Sequence, residues 1–413
     1  MLRCFFRVLM IHTVLLFLLS PVSLFAFQDS EQSASDGAVA VAAEEEVTAE
    51  AAEEPELSSD MHVAVQTFED KDLSSVVAIA GSSDGKFLYT AAFNGKAICS
   101  FEIDAETGLL SNKKVQSLIP GAVGIAVSPD QKWVAACAHT MKAVVLFSRD
   151  QKTGDLELVD NHVFEDPGPN GAAFPIAVTF SPNSKYVYAS DNSGSVHCFQ
   201  RTDDSLDFLS TEMGEDGCLI GARMLTFDAA GKHLTVACMT AGTLAIFKHN
   251  PDDGRLSLVD YAEEGLQDVN TLEGVHGVTA CANSKHVYTC SGRFGGDNAL
   301  TAFEIADDGK WKLVQSLAEG EQLEGFEGGN LIKSSPDGKF VYSSGALSSN
   351  IASFKRDVSS GKLTFDRYLE IDGDEDLQMT SGIHISGDNR FVYVGGEAAG
   401  CVYVFERKLA PNK

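Results

Sequence analysis

The amino-acid sequence predicts an all-β protein, a seven-bladed β-propeller built from four-stranded blades. One pattern of strands and turns recurs seven times after residue 61, at intervals of 46 to 54 residues. The seventh repeat lacks a fourth strand, whereas an unpaired strand precedes the first repeat. A ring accounts for these observations, because the N-terminal strand then closes the last blade and no open sheet edge remains.

The chain begins with two segments that we expect to lie outside the propeller. Residues 1–26 place Arg3 and Arg7 before an apolar run and end in small residues, the layout of a signal peptide that is cleaved after Ala26. An uncleaved membrane anchor is the alternative, although polar residues interrupt a stretch that must reach ~20 residues to span a bilayer. Residues 27–60 hold eleven acids and no Lys or Arg, which predicts a solvated tether. We therefore expect a periplasmic or secreted protein without stable membrane insertion after cleavage.

The propeller is predicted to span residues 61–409. Each repeat has an apolar strand, a turn of the type Ser-Pro-Asp-Gly-Lys, a strand of the type Phe-Val-Tyr and a strand that ends in Phe. Alternating residues such as 256–259 follow a second turn in the first six repeats and predict a fourth strand. The base that ends the first turn and the Phe of the third strand mark all seven repeats: Lys86, Lys132, Lys185, Lys232, Lys285, Lys339 and Arg390; Phe101, Phe147, Phe199, Phe247, Phe303, Phe354 and Phe405.

Composition restricts the class of partner. The 413 residues include 31 Lys and Arg against 59 Asp and Glu, a net charge of -28, so a nucleic-acid binder is disfavoured. With 44% hydrophobic residues the chain has enough apolar material for a globular core. Residues 61–413 retain 29 bases and 48 acids, a net charge of -19, so the propeller itself is acidic.

Eight cysteines remain after removal of the signal peptide, in a compartment that permits disulfides. Cys137 and Cys290 occupy a strand position where other repeats carry Ala91, Ser190 and Ser344, so packing of a small residue explains them better than pairing. We expect at most one or two disulfides. No spacing of ligand residues indicates a metal site, and we expect no cofactor.

Polar residues cluster where the innermost strands begin, at the mouth of the central channel. Four consecutive blades carry a polar residue nine positions before the base of the turn, where the first three blades are apolar. Such an arc suits an oxygen-rich ligand, with Arg223 neutralising negative charge and His276 acting as acid or base. Alternatively, these side chains only cap strand backbone and hold channel water. The seven residues in blade order are Val77, Val123, Ile176, Arg223, His276, Asn330 and Ser381.

Loops on the same face supply further candidates for ligand contact, namely His139, Arg293 and Glu397. The loop at 292–297 is the longest of its class, and we interpret it as a surface insertion, with a flap over the mouth as the alternative. His384 lies deeper on the innermost strand of the last blade, where it is either a catalytic imidazole or a structural histidine.

Acidic residues without interspersed bases crowd three loops between blades on the mouth face. Such an acidic rim would repel phosphorylated sugars and attract cations or basic protein surfaces, over a range of ~8 Å at physiological salt. Its members are Glu263, Glu264, Asp268 and Glu273; Glu319, Glu321, Glu324 and Glu327; Asp372, Asp374, Glu375 and Asp376.

The repeat at 335–342, Ser-Pro-Asp-Gly-Lys-Phe-Val-Tyr, resembles the seven-bladed propeller lactonase family, which includes the propeller-type 6-phosphogluconolactonases and the carboxymuconate lactonising enzymes. The resemblance covers about residues 61–408. The segment 221–224 resembles the Gly-Pro-Arg-His element of that family, with Met224 in place of its His, and the strand 381–386 is similar to its Ile-His-x-Ser-Pro-Asp-Gly strand. The histidine that the family carries in the third blade is absent, because Ile176 stands there.

Two functions remain open. The resemblance implies a lactone hydrolase, in which Arg223 holds a carboxylate or carbonyl and His276 or His384 activates water. The remaining candidates, Asn330, Ser381, Arg293, His139 and Glu397, would then bind the substrate, a non-phosphorylated lactone or ester in view of export and the acidic rim. The alternative is a non-catalytic exported propeller that binds a protein, a glycan or a cation through its acidic face. The expected partner is thus a lactone or sugar-like molecule, or a basic protein surface, and we expect a monomer.

Overall fold

The structure, a computed structural model, describes residues 61–165, 173–282, 285–320, 323–370 and 377–408. The predicted signal peptide at 1–26 and tether at 27–60 lie outside these residues. Within them the chain forms 28 strands and one short 3₁₀ helix, Lys71–Leu73. None of the described residues belongs to a helix long and apolar enough to cross a bilayer.

The strands form seven blades of four antiparallel strands, numbered here from the innermost strand outward. Blades 1 to 4 are β2 (Val76–Gly81), β3 (Phe87–Ala92), β4 (Ala97–Ile103) and β5 (Leu110–Leu118); β6 (Ala122–Val127), β7 (Trp133–Ala138), β8 (Ala143–Arg149) and β9 (Leu156–Val163); β10 (Pro175–Phe180), β11 (Tyr186–Asp191), β12 (Ser195–Arg201) and β13 (Leu206–Glu212); β14 (Ala222–Phe227), β15 (His233–Cys238), β16 (Thr243–His249) and β17 (Leu256–Glu263). Blades 5 to 7 are β18 (Val275–Ala280), β19 (His286–Gly292), β20 (Gly295–Ile305) and β21 (Trp311–Ala318); β22 (Gly329–Ser334), β23 (Phe340–Gly345), β24 (Asn350–Arg356) and β25 (Leu363–Leu369); β26 (Thr380–Ile385), β27 (Phe391–Gly396), β28 (Cys401–Lys408) and β1 (Met61–Glu69).

The predicted closure of the ring is confirmed. Strand β1 pairs antiparallel with β28, from Met61 opposite Lys408 to Glu69 opposite Cys401, and so supplies the outermost strand of blade 7. Because the two ends of the propeller share one sheet, separating the first and last blades requires the loss of a complete strand pairing.

The turn between the first two strands of a blade is held by its own side chains. In blade 6 the hydroxyl of Ser335 donates to Asp337 over 2.7 Å and accepts from the backbone N–H of Phe340 over 2.9 Å. Gly338 has φ of 67°, a left-handed conformation that favours glycine. Ser, Asp and Gly of the motif therefore recur because each of them stabilises the conformation of the turn.

Tyrosines of the second strands connect neighbouring blades through hydrogen bonds. In blades 1, 3, 5 and 7 the buried tyrosine hydroxyl donates to the carbonyl of the glycine in the second turn of the next blade, at 2.7 to 3.0 Å. The aromatic rings fill the space between sheets while the hydroxyl groups remain bonded, as burial requires. The four pairs are Tyr89 with Gly154, Tyr188 with Gly254, Tyr288 with Gly361, and Tyr393 with Gly108.

The small residues of the second strands include free thiols rather than disulfides. Seven cysteines within the described residues are buried free thiols, namely Cys99, Cys137, Cys198, Cys218, Cys238, Cys290 and Cys401. Burial raises the pKa of the Cys99 thiol to about 11, so the thiol is protonated and unreactive at neutral pH.

A bulge in every innermost strand positions the side chains at the mouth. In each blade the pairing between the first two strands shifts after the first residue of the innermost strand, so that the second residue has no partner in the ladder. A bulge redirects the side chain of its extra residue. The position that carries Val77 in blade 1 and Arg223 in blade 4 is therefore turned toward the channel.

Candidate active site at the channel mouth

The second residues of the seven innermost strands form a ring around the mouth. Its polar members are hydrogen-bonded to one another or to backbone carbonyls across blades 5, 6, 7 and 1. His276 Nδ1 donates to the backbone carbonyl of Asn330 over 2.9 Å. Asn330 Nδ2 donates to Ser381 Oγ over 3.0 Å, and that hydroxyl donates to the carbonyl of Val77 over 3.1 Å. The structure thus brings His276, Asn330 and Ser381 together. All three also tie neighbouring innermost strands, and His276 and Ser381 do so through backbone carbonyls, as the alternative of backbone capping requires.

His276 is held in one tautomer. Because the partner of Nδ1 is a carbonyl oxygen, Nδ1 carries the proton and Nε2 is an acceptor. Within the described part of the chain, Nε2 has no hydrogen-bond partner. Burial lowers the pKa of His276 to about 3, and the charges of Arg223 and Arg293 contribute. The imidazole is therefore neutral at neutral pH and able to accept a proton.

Arg223 places a guanidinium group in the mouth without a protein acceptor. Its Nε atom is buried and has no hydrogen-bond partner, and no ion pair with another described residue holds the group. Burial lowers the pKa of Arg223 to about 10, with a contribution from the charge of Arg293, so the group stays charged at neutral pH. Arg223 as a whole is only partly buried, so a ligand can reach the guanidinium group and supply the missing oxygen acceptor, which makes Arg223 the principal candidate for binding a carbonyl or carboxylate.

The segment between β19 and β20, Arg293 and Phe294, extends across the mouth. It is therefore a flap over the mouth, the alternative given above, rather than the expected surface insertion. Arg293 crosses from blade 5 to Glu397 on blade 7, with one guanidinium nitrogen 3.0 and 2.9 Å from the two carboxylate oxygens. Phe294 is the common neighbour of the candidate residues, since its ring centroid lies 5.3 Å from Arg223 Cζ, 5.2 Å from Arg293 Cζ and 5.7 Å from the ring centroid of His276. The flap therefore limits access to both Arg223 and His276.

Glycines allow the tight turn of the flap. Gly292, Gly295 and Gly296 have φ of 115°, 100° and 125°, values that residues with a side chain rarely adopt. The ion pair between Arg293 and Glu397 then fixes the tip of the flap on the opposite side of the mouth. Burial raises the pKa of the Glu397 carboxyl, although the charge of Arg293 acts against this shift.

Replacing Glu397 with glutamine is expected to lower the free energy of unfolding by about 1–3 kcal/mol. The amide keeps one acceptor for Arg293 but removes the negative charge that compensates two neighbouring guanidinium groups. Urea denaturation at neutral pH measures the loss. Glu406→Gln is the matched control, because its partner Arg390 has 42% of its side chain exposed, against 9% for Arg293, and exposed pairs contribute less than about 1 kcal/mol. If the free energy of unfolding falls equally in the two variants, the ion pair between Arg293 and Glu397 does not hold the flap across the mouth.

His139, on the loop after β7, belongs to the same mouth but lies among aromatic rings. Its ring stacks on Phe174 at 4.9 Å between centroids and meets Phe93 edge-on at 6.1 Å. Burial lowers the pKa of His139, and the charge of Arg223 contributes. His139 is therefore neutral at neutral pH, and its surroundings suit contact with the apolar part of a ligand.

His384 lies in a second ring, deeper in the channel, and not in the group around Phe294. Its ring stacks on Tyr393 at 6.0 Å, and burial lowers the pKa of His384 to about 4 with a contribution from the charge of Lys333. At the rise of an extended strand, three residues separate the rings by about 10 Å. The second ring consists of the fifth residues of the innermost strands: Ala80, Ala126, Thr179, Thr226, Thr279, Lys333 and His384.

Lys333 is absent from the site residues predicted from the sequence. It stands six residues before the base of the turn, where the other repeats carry Ala, Thr or His. A comparison of the repeats at that spacing would have found it, because it is the one Lys or Arg in its column. Its importance becomes apparent only when the seven strands face a common channel.

Two members of the acidic rim, Glu264 and Glu273, lie near Asp297, which follows the flap but was not counted in the rim. The carboxylates of Glu264 and Asp297 accept the backbone N–H groups of Leu272 and Glu273, each over 2.7 Å. Burial raises the pKa of Asp297 to about 6, and the charges of Glu264 and Glu273 contribute. Glu321 and the predicted acids at 372–376 lie outside the described residues. Among the residues that are described, no group of three or more His, Cys, Asp or Glu side chains is arranged to hold a metal ion.

A family model described as "Lactonase, 7-bladed beta-propeller" matches residues 36–174 and 296–411, more than half of the chain. Arg223, His276 and Arg293 fall in the stretch between the two matched parts, so their roles rest on the geometry described above. No curated protein matches the sequence.

Solved structures of several activities share the fold. The periplasmic gluconolactonase of Pseudomonas aeruginosa aligns with a TM-score of 0.59 at 18% identity, over 71% of this chain and 85% of its own. A Bacteroides fragilis protein provisionally named a 6-phosphogluconolactonase aligns with a TM-score of 0.63 at 20% identity, over 79% and 92%. Hydrazine synthase of Kuenenia stuttgartiensis aligns equally well, with a TM-score of 0.62 at 15% identity, over 82% and 97%. At such identities the likeness concerns the fold alone.

Proposed function

Because the chain belongs to the seven-bladed β-propeller lactonase family, we propose that it hydrolyses a lactone at the mouth of its central channel. The observation that carries the proposal is that Phe294 contacts both Arg223, a partly buried guanidinium without an acceptor among the described residues, and the ring of His276, whose Nε2 has no hydrogen-bond partner among them. Hydrolysis of an ester requires a base that activates water and a group that stabilises the oxyanion. His276 and Arg223 can supply these two functions at the same mouth.

In the proposed reaction Arg223 binds the carbonyl oxygen of the lactone. A water hydrogen-bonded to Nε2 of His276 attacks the carbonyl carbon and transfers its proton to that nitrogen, while Arg223 stabilises the oxyanion. Collapse of the tetrahedral intermediate breaks the bond to the ring oxygen, which receives the proton back from the imidazolium. The carbonyl of Asn330 keeps the imidazole oriented throughout. Because Arg223 contributes to the low pKa of His276, an oxyanion on Arg223 raises that pKa and strengthens the base.

We propose a substrate without a phosphate group, either a lactone or a related ester. Asp297 follows the flap, and the carboxylates of Glu264 and Glu273 are close enough to act on it, so a phosphate dianion would be repelled there more strongly than a neutral lactone. The effect is local, since salt screens it within ~8 Å.

A panel of aldonolactones and aryl esters tests the proposal. We expect turnover of at least one non-phosphorylated lactone, and its loss in His276→Ala with the fold retained by circular dichroism. Absence of turnover across the panel, or turnover that survives this substitution, would reject the proposed site. Binding of a basic protein, a glycan or a cation without turnover would instead favour the non-catalytic alternative.

We also propose that the protein is exported to the periplasm or secreted. Residues 1–26 have the layout of a signal peptide, and one structural relative is named a periplasmic gluconolactonase. Mass spectrometry of the protein from fractionated cells should find a mature N-terminus at Phe27 outside the cytoplasm. A cytoplasmic protein that retains Met1 would contradict export.

A further inference from the structure

The lining of the channel has the opposite charge from the rest of the protein. The second and fifth residues of the seven innermost strands include the cations Arg223 and Lys333, two histidines that are neutral at neutral pH and no acidic residue, whereas the chain as a whole has a net charge of -28. Arg223 and His276 are second residues and belong to the ring at the mouth, called here the upper ring. Lys333 and His384 are fifth residues and belong to the second ring, called here the lower ring, and neither takes part in the proposed hydrolysis.

Lys333 stands in the lower ring without a counter-charge. Its side chain is exposed by accessible area, yet desolvation by the surrounding blades lowers the pKa of its ammonium group. Among the described residues it has neither an ion pair nor a hydrogen bond. The neighbouring strands present Thr279 on one side and His384 on the other, and neither is charged at neutral pH because the pKa of His384 is about 4.

The backbone of blade 1 makes room for the His384 ring. A Cβ atom at Gly81 would lie 2.0 Å from Nε2 of His384, so any side chain there would displace the imidazole. The ring is thereby held in the seam between blades 7 and 1, with Tyr393 stacked on it. A neutral imidazole always has one N–H group to donate.

We propose that Lys333 and His384 form a carboxylate-binding site in the lower channel, separate from the lactone site at the mouth. One ammonium charge and one neutral N–H donor match the single charge and two oxygens of a carboxylate. The carboxylate belongs either to a free acid or to a substituent of the substrate that reaches down from the mouth. The site does not depend on the proposed hydrolysis, because neither residue takes part in it.

The proposal is tested with acetate as the ligand. Binding is followed by NMR of protein labelled with carbon-13 at the Cε atom of every lysine. The signal of Lys333, identified by its absence from Lys333→Arg, should titrate at lower pH than those of surface lysines. Addition of acetate should shift this signal and raise the apparent pKa of Lys333, because the bound anion favours the charged ammonium. Lys339, an exposed lysine of the same blade, is the internal control and should not respond.

His384→Leu should weaken the affinity for acetate by roughly tenfold through loss of the N–H donor. Arg223→Met should leave the acetate response of Lys333 intact, even if it abolishes lactone turnover, so the two proposals can fail independently. A Lys333 signal that ignores acetate, or that moves in step with Lys339, would overturn the proposal.

Kinetics then separate the two sources of the carboxylate. If acetate raises KM for a lactone that carries a carboxylate but not for a neutral lactone, the site binds the substrate's own substituent. If acetate binds and neither KM changes, the ligand is a separate acid.

Discussion

Arg223→Met is expected to reduce kcat/KM for the preferred lactone by about 10²–10³-fold, because one guanidinium supplies the stabilisation of the oxyanion. The same substitution should leave the free energy of unfolding unchanged or raise it. The Arg223 side chain has a buried nitrogen without a hydrogen bond and lies close to the charge of Arg293, so methionine removes an unfavourable burial. Steady-state kinetics and urea denaturation of the same preparation measure both effects.

Arg255→Met is the matched control for this prediction. Arg255 lies in the second turn of blade 4, with its side chain 78% exposed, and should tolerate the change without loss of turnover. A loss of activity that is equal in the two variants, or a marked loss of stability in Arg223→Met, would show that Arg223 supports the fold rather than the reaction.

Acid is expected to destabilise the protein through His276 and His384. Both imidazoles have a lower pKa in the folded chain, about 3 and about 4, than the usual 6.5, so the unfolded chain binds more protons below pH 6.5. The contribution of these residues to stability is therefore complete above that pH and is lost as the pH falls. At pH 4 each histidine should cost about 3 kcal/mol relative to neutral pH, a large share of the stability of a domain.

Unfolding free energies at pH 7 and pH 4 test this expectation in the wild type and in His276→Asn/His384→Gln. Asparagine at position 276 can still donate a hydrogen bond to the Asn330 carbonyl. Any loss of packing lowers the free energy of unfolding by the same amount at both pH values. The double variant should therefore lose less stability on acidification. If the two proteins lose stability equally, the two histidines do not govern the acid response.

The fold could be predicted from local chemistry repeated seven times. Each turn of the type Ser335 to Lys339 closes through its own side chains, and the tyrosine of a strand such as β27 finds a glycine carbonyl one blade away. The missing fourth strand of the last repeat and the extra strand before the first repeat indicated the closure that β1 and β28 make. These features concern neighbours in sequence or one interval between repeats, so the pattern was visible in the chain alone.

The candidate site could be predicted only in part. The column of second residues identified Arg223 and His276, because a polar arc interrupts an apolar column. The pairing of Arg293 with Glu397 was not predictable, since 104 residues separate them and the course of the flap decides whether they meet. Lys333 was missed because, in its own strand, it resembles an ordinary exposed lysine.

The sequence by itself determined that this protein is a closed ring of seven blades with an acidic surface and a polar arc at one face. Only the tertiary structure decided that the channel is basic, that one guanidinium in it lacks a partner, and that a flap covers the mouth. The physical reason is that charge and solvation inside the channel depend on which side chains seven distant strands turn toward one axis. Burial there shifts the pKa of Arg223, His276 and Lys333, and no local pattern encodes burial of that kind.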